Sequence, residues 1–218
     1  MVADILLQIG LMLIVVFMFL AMHDIPKKVV AKLRSYRNRA DVQAKRHFVI
    51  GAQTLARARA SKTRSTTISL AKEALAEAEK AIELDPKDAA AHILKSLALD
   101  LQGFKTSALD SLDVALSPLC AKSLTGNERG DALFKRAELK MAMVTARRGS
   151  DAVRVDSVLE DLNQAVSLSS DNAKAFCLLG ECYEVKKMGE EAKKAYEDAL
   201  KVEPRLTVAR DALARLSS

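Results

Sequence analysis

The sequence contains few of the residues that usually carry chemistry. Only three histidines and three cysteines occur among its 218 residues, and the histidines lie far apart in the chain. No Cys-x-x-Cys or His-x-x-x-His pair is present, so the sequence predicts no metal site. It also has no glycine-rich phosphate loop and no nucleophile elbow. We therefore expect a protein that is not an enzyme and that needs no cofactor, metal or small-molecule substrate.

Aromatic residues are also scarce, at 4% of the chain. Proteins that bind nucleic acids usually combine basic residues, which meet the phosphates, with aromatic platforms for the bases. Only Tyr36 and Phe48 interleave with the basic residues of this chain, which disfavours a nucleic-acid partner. The odd number of cysteines is typical of a reducing compartment such as the cytosol.

Charged residues are nearly absent from the N-terminus, where residues 2–22 are apolar except for Asp4, Gln8 and Gly10. About 20 such residues span a bilayer as a helix. The main alternative is a cleaved signal peptide, which needs a positive n-region and a small-residue cleavage site; neither is found here. A buried core helix is a third interpretation. The pattern predicts that residues 1–23 form a transmembrane anchor.

A strongly basic segment follows the apolar run. Residues 23–65 carry a net charge of +10, whereas residues 66–218 carry −3. Because positive flanks remain in the cytosol, we expect a single-pass membrane protein of the endoplasmic reticulum or an organelle outer membrane, with its C-terminal domain facing the cytosol. Apolar residues recur every three or four positions in residues 24–44, which predicts a basic juxtamembrane helix. This helix is either a solvated stalk or a surface for anionic lipid headgroups, so membrane contact through the N-terminal helix and its basic flank is expected.

The most regular pattern lies near the C-terminus. Two antiparallel helices can approach closely where their residues are small, and a proline ends the second helix because it has no amide hydrogen to donate. Residues 173–206 carry small, aromatic and proline residues at the offsets of the 34-residue tetratricopeptide signature, namely Phe176, Leu179, Gly180, Tyr183, Ala192, Tyr196, Ala199 and Pro204. The chain therefore resembles the tetratricopeptide repeat (TPR) family, and the resemblance covers roughly residues 45–218.

A single repeat cannot bury its own apolar face, so further copies are expected. The small residue late in the second helix recurs at Ala81, Ala115, Ala165 and Ala199, at spacings of 34, 50 and 34. The predicted repeats occupy about residues 45–86, 89–118, 131–170 and 173–206, with a capping helix at 207–218. Enlarged turns are expected at 61–67 and 147–151, and a loop at 117–130.

The predicted fold is therefore all-α. We expect a TPR-type solenoid of about four helical hairpins with a C-terminal capping helix, preceded by an N-terminal transmembrane helix.

The resemblance implies that the first helix of each repeat lines a concave groove that binds a partner. Its centre is expected to be apolar, which suits an amphipathic segment of a partner protein. The usual groove offsets fall on Arg46, Val49, Gln53, Ile93, Leu97, Leu101, Asp131, Phe134, Glu138, Met141, Lys174, Cys177 and Glu181.

One subset of the family grips the carboxylate tail of cytosolic chaperones with a clamp of Lys, Asn, Asn, Lys and Arg. At the matching positions this chain has Val49, Gln53, Leu94, Asp131 and Lys135. Only Lys135 keeps a positive charge, and Asp131 repels a carboxylate. The sequence therefore gives no basis for a chaperone-tail function.

Two functions fit these observations. The first is a non-enzymatic, membrane-anchored interaction module, a receptor or adaptor whose cytosolic TPR groove binds an amphipathic segment of a partner. The alternative is a constitutive structural subunit, a scaffold within a membrane protein complex.

Overall fold

The computed structural model of the chain describes residues 2–22, 25–146 and 152–217. All regular elements of these residues are helical, which confirms the predicted all-α class. The helices are α1 (Val2–Met22), α2 (Ile25–Ala60), α3 (Arg64–Leu84), α4 (Ala89–Gln102), α5 (Lys105–Ala115), α6 (Gly126–Ala146), α7 (Ala152–Leu168), α8 (Ala173–Val185), α9 (Gly189–Val202) and α10 (Thr207–Ser217), with a 3₁₀ turn at Ala121–Ser123.

Helices α2 to α9 form four consecutive hairpins, α2–α3, α4–α5, α6–α7 and α8–α9. Each hairpin packs on the next through the contacts of α3 with α4, α5 with α6 and α7 with α8, and α10 packs on α9. Since each helix from α2 to α6 packs on the one that follows it, consecutive helices alternate in direction, and α2, α4 and α6 run in the same direction. The result is a solenoid of helical hairpins with a C-terminal helix on its last member.

Alanine is the most frequent buried residue of the described helices. The four alanines that mark the repeats in the sequence are all buried, at 1% exposure or less, and they are Ala81, Ala115, Ala165 and Ala199. On α3, buried alanines recur every three or four residues, which places them on one face of the helix. Small side chains at these positions let neighbouring helices approach closely.

The first hairpin has the longest helix of the described chain. Helix α2 spans 36 residues, so the basic segment and the first helix of the solenoid form one continuous rod. A Cβ added at Gly51 would lie 2.9 Å from Leu94 Cδ2 and 3.3 Å from the Ala74 carbonyl oxygen. The glycine therefore allows α2 to contact both α3 and α4 closely.

The last hairpin closes around a tyrosine ring. Tyr196 of α9 is 1% exposed, and a Cβ added at Gly180 of α8 would lie 2.7 Å from its ring carbons. The Tyr196 hydroxyl donates a hydrogen bond of 2.6 Å to Glu184, which also accepts one from Arg215 of α10. Burial, together with the carboxylate of Glu184, raises the pKa of Tyr196 well above its ordinary value. This contact holds α8, α9 and α10 together.

A buried carboxylate joins α6 to α7. Asp161 is 2% exposed and accepts two hydrogen bonds from Arg136, at 2.9 and 2.5 Å, and one from Lys140 at 2.7 Å. Arg136 also donates to the exposed Asp113 of α5 at 2.9 Å. Because Asp161 is buried away from water, the fold is stable only while these cations compensate its negative charge.

The predicted loop at 117–130 is shorter in the structure, because α6 begins at Gly126. The Thr125 amide donates to Glu128 Oε2 at 2.8 Å, and the Glu128 amide donates to Thr125 Oγ1 at 3.3 Å. This is a capping box, and its signal in the sequence is Thr-x-x-Glu.

The predicted enlarged turn at 61–67 is also shorter in the structure. It spans residues 61–63, because α3 begins at Arg64 with Thr63 as its N-cap. The predicted turn at 147–151 lies outside the described residues.

The predicted single-pass membrane localisation is wrong. Within the described parts of the chain, no helix combines the length and the apolar character that crossing a membrane requires. The anchor predicted for residues 1–23, and the orientation of the repeats towards the cytosol from the endoplasmic reticulum or an organelle outer membrane, depended on such a helix.

Candidate functional site

The first helices of the first three hairpins line an open groove, which we call the α2–α4–α6 groove. Its volume is about 460 Å³. Most of its side chains are apolar. They come from α2, α4 and α6, and from Leu124, which lies just before α6. The full lining is Phe48, Ala52, Leu55, Ala56, Arg59, Ala90, Ile93, Leu94, Leu97, Leu124, Glu128, Asp131, Ala132 and Lys135.

The apolar floor of the groove rests on the hydrophobic core. Phe48 and Leu97 are half-buried and pack against a cluster that contains Leu55 and Leu94. Ile93 is also half-buried and packs against the cluster that joins α4, α5 and α6. The floor therefore presents accessible apolar surface on a packed, rigid support.

A hydrogen bond and an ion pair fix how α4 and α6 are aligned along their lengths. At one end, the Ala89 amide at the start of α4 donates to Ser123 Oγ, just before α6, at 3.1 Å. At the other end, Lys135 Nζ lies 2.9 Å from Asp100 Oδ2, near the end of α4. The start of α6 therefore lies beside the start of α4, and Lys135 lies beside the end of α4.

The charged lining residues are segregated along this axis. Glu128 and Asp131 lie in the first two turns of α6. Arg59 lies in the last turn of α2, and Lys135, in the middle of α6, lies beside the end of α4. We call the end with Glu128 and Asp131 the acidic end of the groove and the end with Arg59 and Lys135 the basic end.

Lys135 and Glu128 of α6 differ in whether opposite charges of the chain compensate them. Burial opposes the charge of Lys135, but its hydrogen bonds to Asp100 and Glu138 outweigh that effect and raise its pKa. Its Nζ lies 2.9 and 3.0 Å from these two carboxylates. Glu128 is exposed, and hydrogen bonds from the Thr125 amide and hydroxyl lower its pKa. Lys135 is therefore an internally paired cation, and Glu128 an ionised carboxylate.

Three of the predicted site residues line this groove, namely Ile93, Leu97 and Asp131. On α2 the prediction is displaced. Phe48 and Ala52 line the groove, whereas the predicted Val49 and Gln53 are exposed outside it.

Two other predicted residues of the first two repeats also lie outside the groove lining. Arg46 is exposed on α2. Leu101 is half-buried near the end of α4 and packs on the cluster of Leu55 and Leu94.

The structure buries two of the predicted groove residues in the core. Met141 and Cys177 are 9% and 7% exposed. Met141 packs between α6, α7 and α8, and Cys177 packs against α9 and α10. Phe134 is half-buried against the same cluster as Met141. Met141 and Cys177 do not face the groove, because their faces of α6 and α8 pack against neighbouring helices. Phe134 keeps part of its surface accessible but lies outside the groove lining.

The remaining predicted residues lie away from the apolar floor. Glu138 is a partner of Lys135, and Glu181 is exposed on α8. Lys174 lines a separate polar hollow of about 480 Å³, beside Asn127, Asp131 and Glu203. The fourth hairpin therefore adds no side chain to the α2–α4–α6 groove.

Sequence reasoning missed the whole α2 lining and the Glu128 carboxylate. Repeat one has no Leu-Gly pair, but Ile50-Gly51 stands in its place and was a usable signal. Phe48 precedes Gly51 by three residues, as the predicted groove residue Cys177 precedes Gly180. Glu128 had a usable signal, the capping box that begins at Thr125.

The groups of the described residues that could bind a metal or act as a nucleophile are the acidic, histidine and cysteine side chains. Among them, no group of three or more His, Cys, Asp or Glu side chains is arranged to hold a metal ion. The three cysteines are buried and free of disulfides. Burial raises the pKa of Cys177 to about 11 and that of Cys182 to about 12. Both thiols are protonated near neutral pH.

No protein-family model matches the sequence, and no curated protein matches it either. The fold, in contrast, is similar to several solved structures. MamA (residues 41 to the end) from Desulfovibrio magneticus RS-1 is 18% identical with a TM-score of 0.60, over 80% of this chain and 84% of that chain. PilF of Pseudomonas aeruginosa is also 18% identical with a TM-score of 0.60, over 83% and 68% of the two chains. A crystal structure of MamA is 17% identical with a TM-score of 0.56, over 69% and 78%.

These solved structures contain tetratricopeptide repeats, so the solenoid described above is of the TPR type. Similarity at this level of identity concerns the fold alone.

Proposed function

We propose that this protein is a non-enzymatic interaction module whose α2–α4–α6 groove binds an amphipathic segment of a partner protein. The observation that carries the proposal is the accessible apolar floor formed by Phe48, Ile93 and Leu97. Apolar concavities of this kind mark sites for partners, and the first helices of a helical solenoid present such a surface. An amphipathic helix fits it by placing its apolar face in the groove.

The dimensions of the groove support a short helical ligand. Its lining on α2 extends from Phe48 to Arg59, which corresponds to about 16 Å of helix. That length equals about three turns of a partner helix, enough for apolar anchors at positions i, i+3 or i+4, and i+7. A segment of this kind buries its anchors on the floor and leaves its polar face in solvent.

The state of the cysteines supports the non-enzymatic part of the proposal. A thiol attacks a substrate as its thiolate, and reactive cysteines have a lowered pKa. Cys177 and Cys182 have the opposite property, because burial raises the pKa of each. They behave as small apolar residues of the core.

Groove substitutions are expected to weaken peptide binding. The probe is a fluorescein-labelled amphipathic peptide of about 15 residues, long enough to form a helix with leucines along one face. Leu97→Asp replaces apolar floor with a carboxylate, and Ala56→Trp fills the groove from an exposed position on α2. Each change should raise the dissociation constant from fluorescence anisotropy with the full chain by about tenfold or more, since each removes most of one buried leucine contact.

Two substitutions of the same type serve as controls. Val114→Asp on α5 and Ala76→Trp on α3 change exposed positions outside the groove lining, and they should bind the peptide as the unmodified chain does. Circular dichroism of all four variants checks that the helices are intact. Binding that is unchanged in both folded groove variants would place the interaction elsewhere and refute the proposal.

A further inference from the structure

We infer that the α2–α4–α6 groove selects segments that carry opposite charges at their two ends. On this inference, which rests on the proposed function, the basic end of the ligand lies beside Glu128 and Asp131, and its acidic end lies beside Arg59. The ligand class is therefore an amphipathic protein helix that is acidic at one end, apolar in the middle and basic at the other end.

Two carboxylates form the acidic end of the groove. Glu128 and Asp131 are three residues apart on α6, so they share one face of the helix. Both hydrogen bonds from Thr125 go to Glu128 Oε2, and the bond that Asp131 accepts from Asn172 is long, at 3.4 Å. No lysine or arginine of the groove lining lies at this end. The two carboxylates are therefore placed to accept a basic side chain of a ligand.

Arginine provides the charge at the basic end. Lys135 lies there too, but Asp100 and Glu138 already compensate its charge. Arg59 is exposed in the last turn of α2. Of the cations in the groove lining, Arg59 is therefore the one placed to meet an acidic group of the ligand.

The helix dipole sets which end of the ligand is acidic. Acidic residues in the first turn of a helix and basic residues in its last turn stabilise that helix. A ligand helix with this arrangement places its N-terminus beside Arg59, at the ends of α2 and α4, and its C-terminus beside Glu128. It therefore runs antiparallel to α2, α4 and α6. Charge complementarity of this type selects partners and fixes orientation more than it adds affinity.

Three synthetic peptides with the same leucine face test the inference. One has glutamates in its first turn and lysines in its last, the second has lysines at both ends, and the third has glutamates at both ends. With the full chain, the first should bind about fivefold more tightly than the other two at low ionic strength, the size expected from exposed ion pairs. Added salt should reduce the difference, because it screens exposed charges.

Charge reversals locate the effect in the protein. Arg59→Glu should weaken binding of the first peptide by about fivefold and shift the preference towards the peptide with lysines at both ends. Asp131→Lys should shift it towards the peptide with glutamates at both ends. The matched controls are Arg57→Glu on α2 and Glu160→Lys on α7, which reverse exposed charges outside the groove lining; both should keep the original order of affinities.

The outcomes separate this inference from the proposed function. Equal binding of all three peptides, with Leu97→Asp still abolishing it, would leave the groove as the site and overturn the charge selectivity. An effect of Arg57→Glu as large as that of Arg59→Glu would also overturn it, because the attraction would then be diffuse. Failure of every peptide to bind would refute both.

Discussion

Replacing Gly180 by leucine is expected to lower the free energy of unfolding by about 3 kcal/mol, at the upper end of the range for overpacked cores. The added Cβ would lie 2.7 Å from ring carbons of Tyr196. That ring cannot move aside, because it is buried between α8 and α9 and its hydroxyl is bound to Glu184. In a chain of this size, a thermal melt followed by circular dichroism should shift down by roughly 10 °C.

Gly189→Leu is the matched control for this substitution. Gly189 also lies in a helix of the same hairpin, but a Cβ added there meets no atom within 4 Å. Both variants replace glycine, which weakens a helix, by leucine, which favours it, so the difference between them isolates the clash with Tyr196. Equal melting temperatures for the two variants would show that α8 and α9 are not packed as described.

Removing the buried carboxylate of Asp161 is the second change with a large expected effect. Asp161→Ala leaves Arg136 and Lys140, both mostly buried, without their shared partner between α6 and α7. Breaking a buried ion pair by removing one member costs about 3 kcal/mol or more. Denaturant unfolding of the full chain measures the loss.

Asp113→Ala removes the other carboxylate that contacts Arg136, and it provides the comparison. The Asp113 side chain is 53% exposed, so its ion pair should contribute less than about 1 kcal/mol. If both substitutions lowered the free energy of unfolding equally, or if neither lowered it, the buried ion pairs of Asp161 would not stabilise the fold as described here.

The sequence predicted the repeats where small residues recur at fixed spacing. Gly180 and Tyr196 belong to the signature of repeat four, and in the structure each is the contact partner of the other. Ala81, Ala115 and Ala165 mark the other second helices, and all are buried. Such positions are predictable because close helix approach allows only small side chains.

The groove was harder to predict because a helix rotates its side chains by about 100° per residue. An error of one position on α2 is enough to replace the lining residue Phe48 by the exposed Val49. In repeats three and four, offsets carried over from the family signature led to Met141 and Cys177, which the packing of α7 and α10 covers. In repeat two the same offsets led to Ile93 and Leu97, which line the groove.

The N-terminal prediction is also wrong. It rested on the length and apolar character of residues 2–22, whereas no helix among the described residues is long and apolar enough to cross a membrane. The predicted basic helix continues into the first helix of repeat one, and together they form α2.

The most direct test of the central claim is to map where an amphipathic peptide lies on the full chain. A peptide with a benzophenone group in its leucine face can be crosslinked by light, and mass spectrometry then identifies the modified residues. We expect crosslinks to the floor and walls of the groove, at Phe48, Ala52, Ile93 and Leu97. Crosslinks confined to the outer helices, for example around Val114 of α5, would contradict the account.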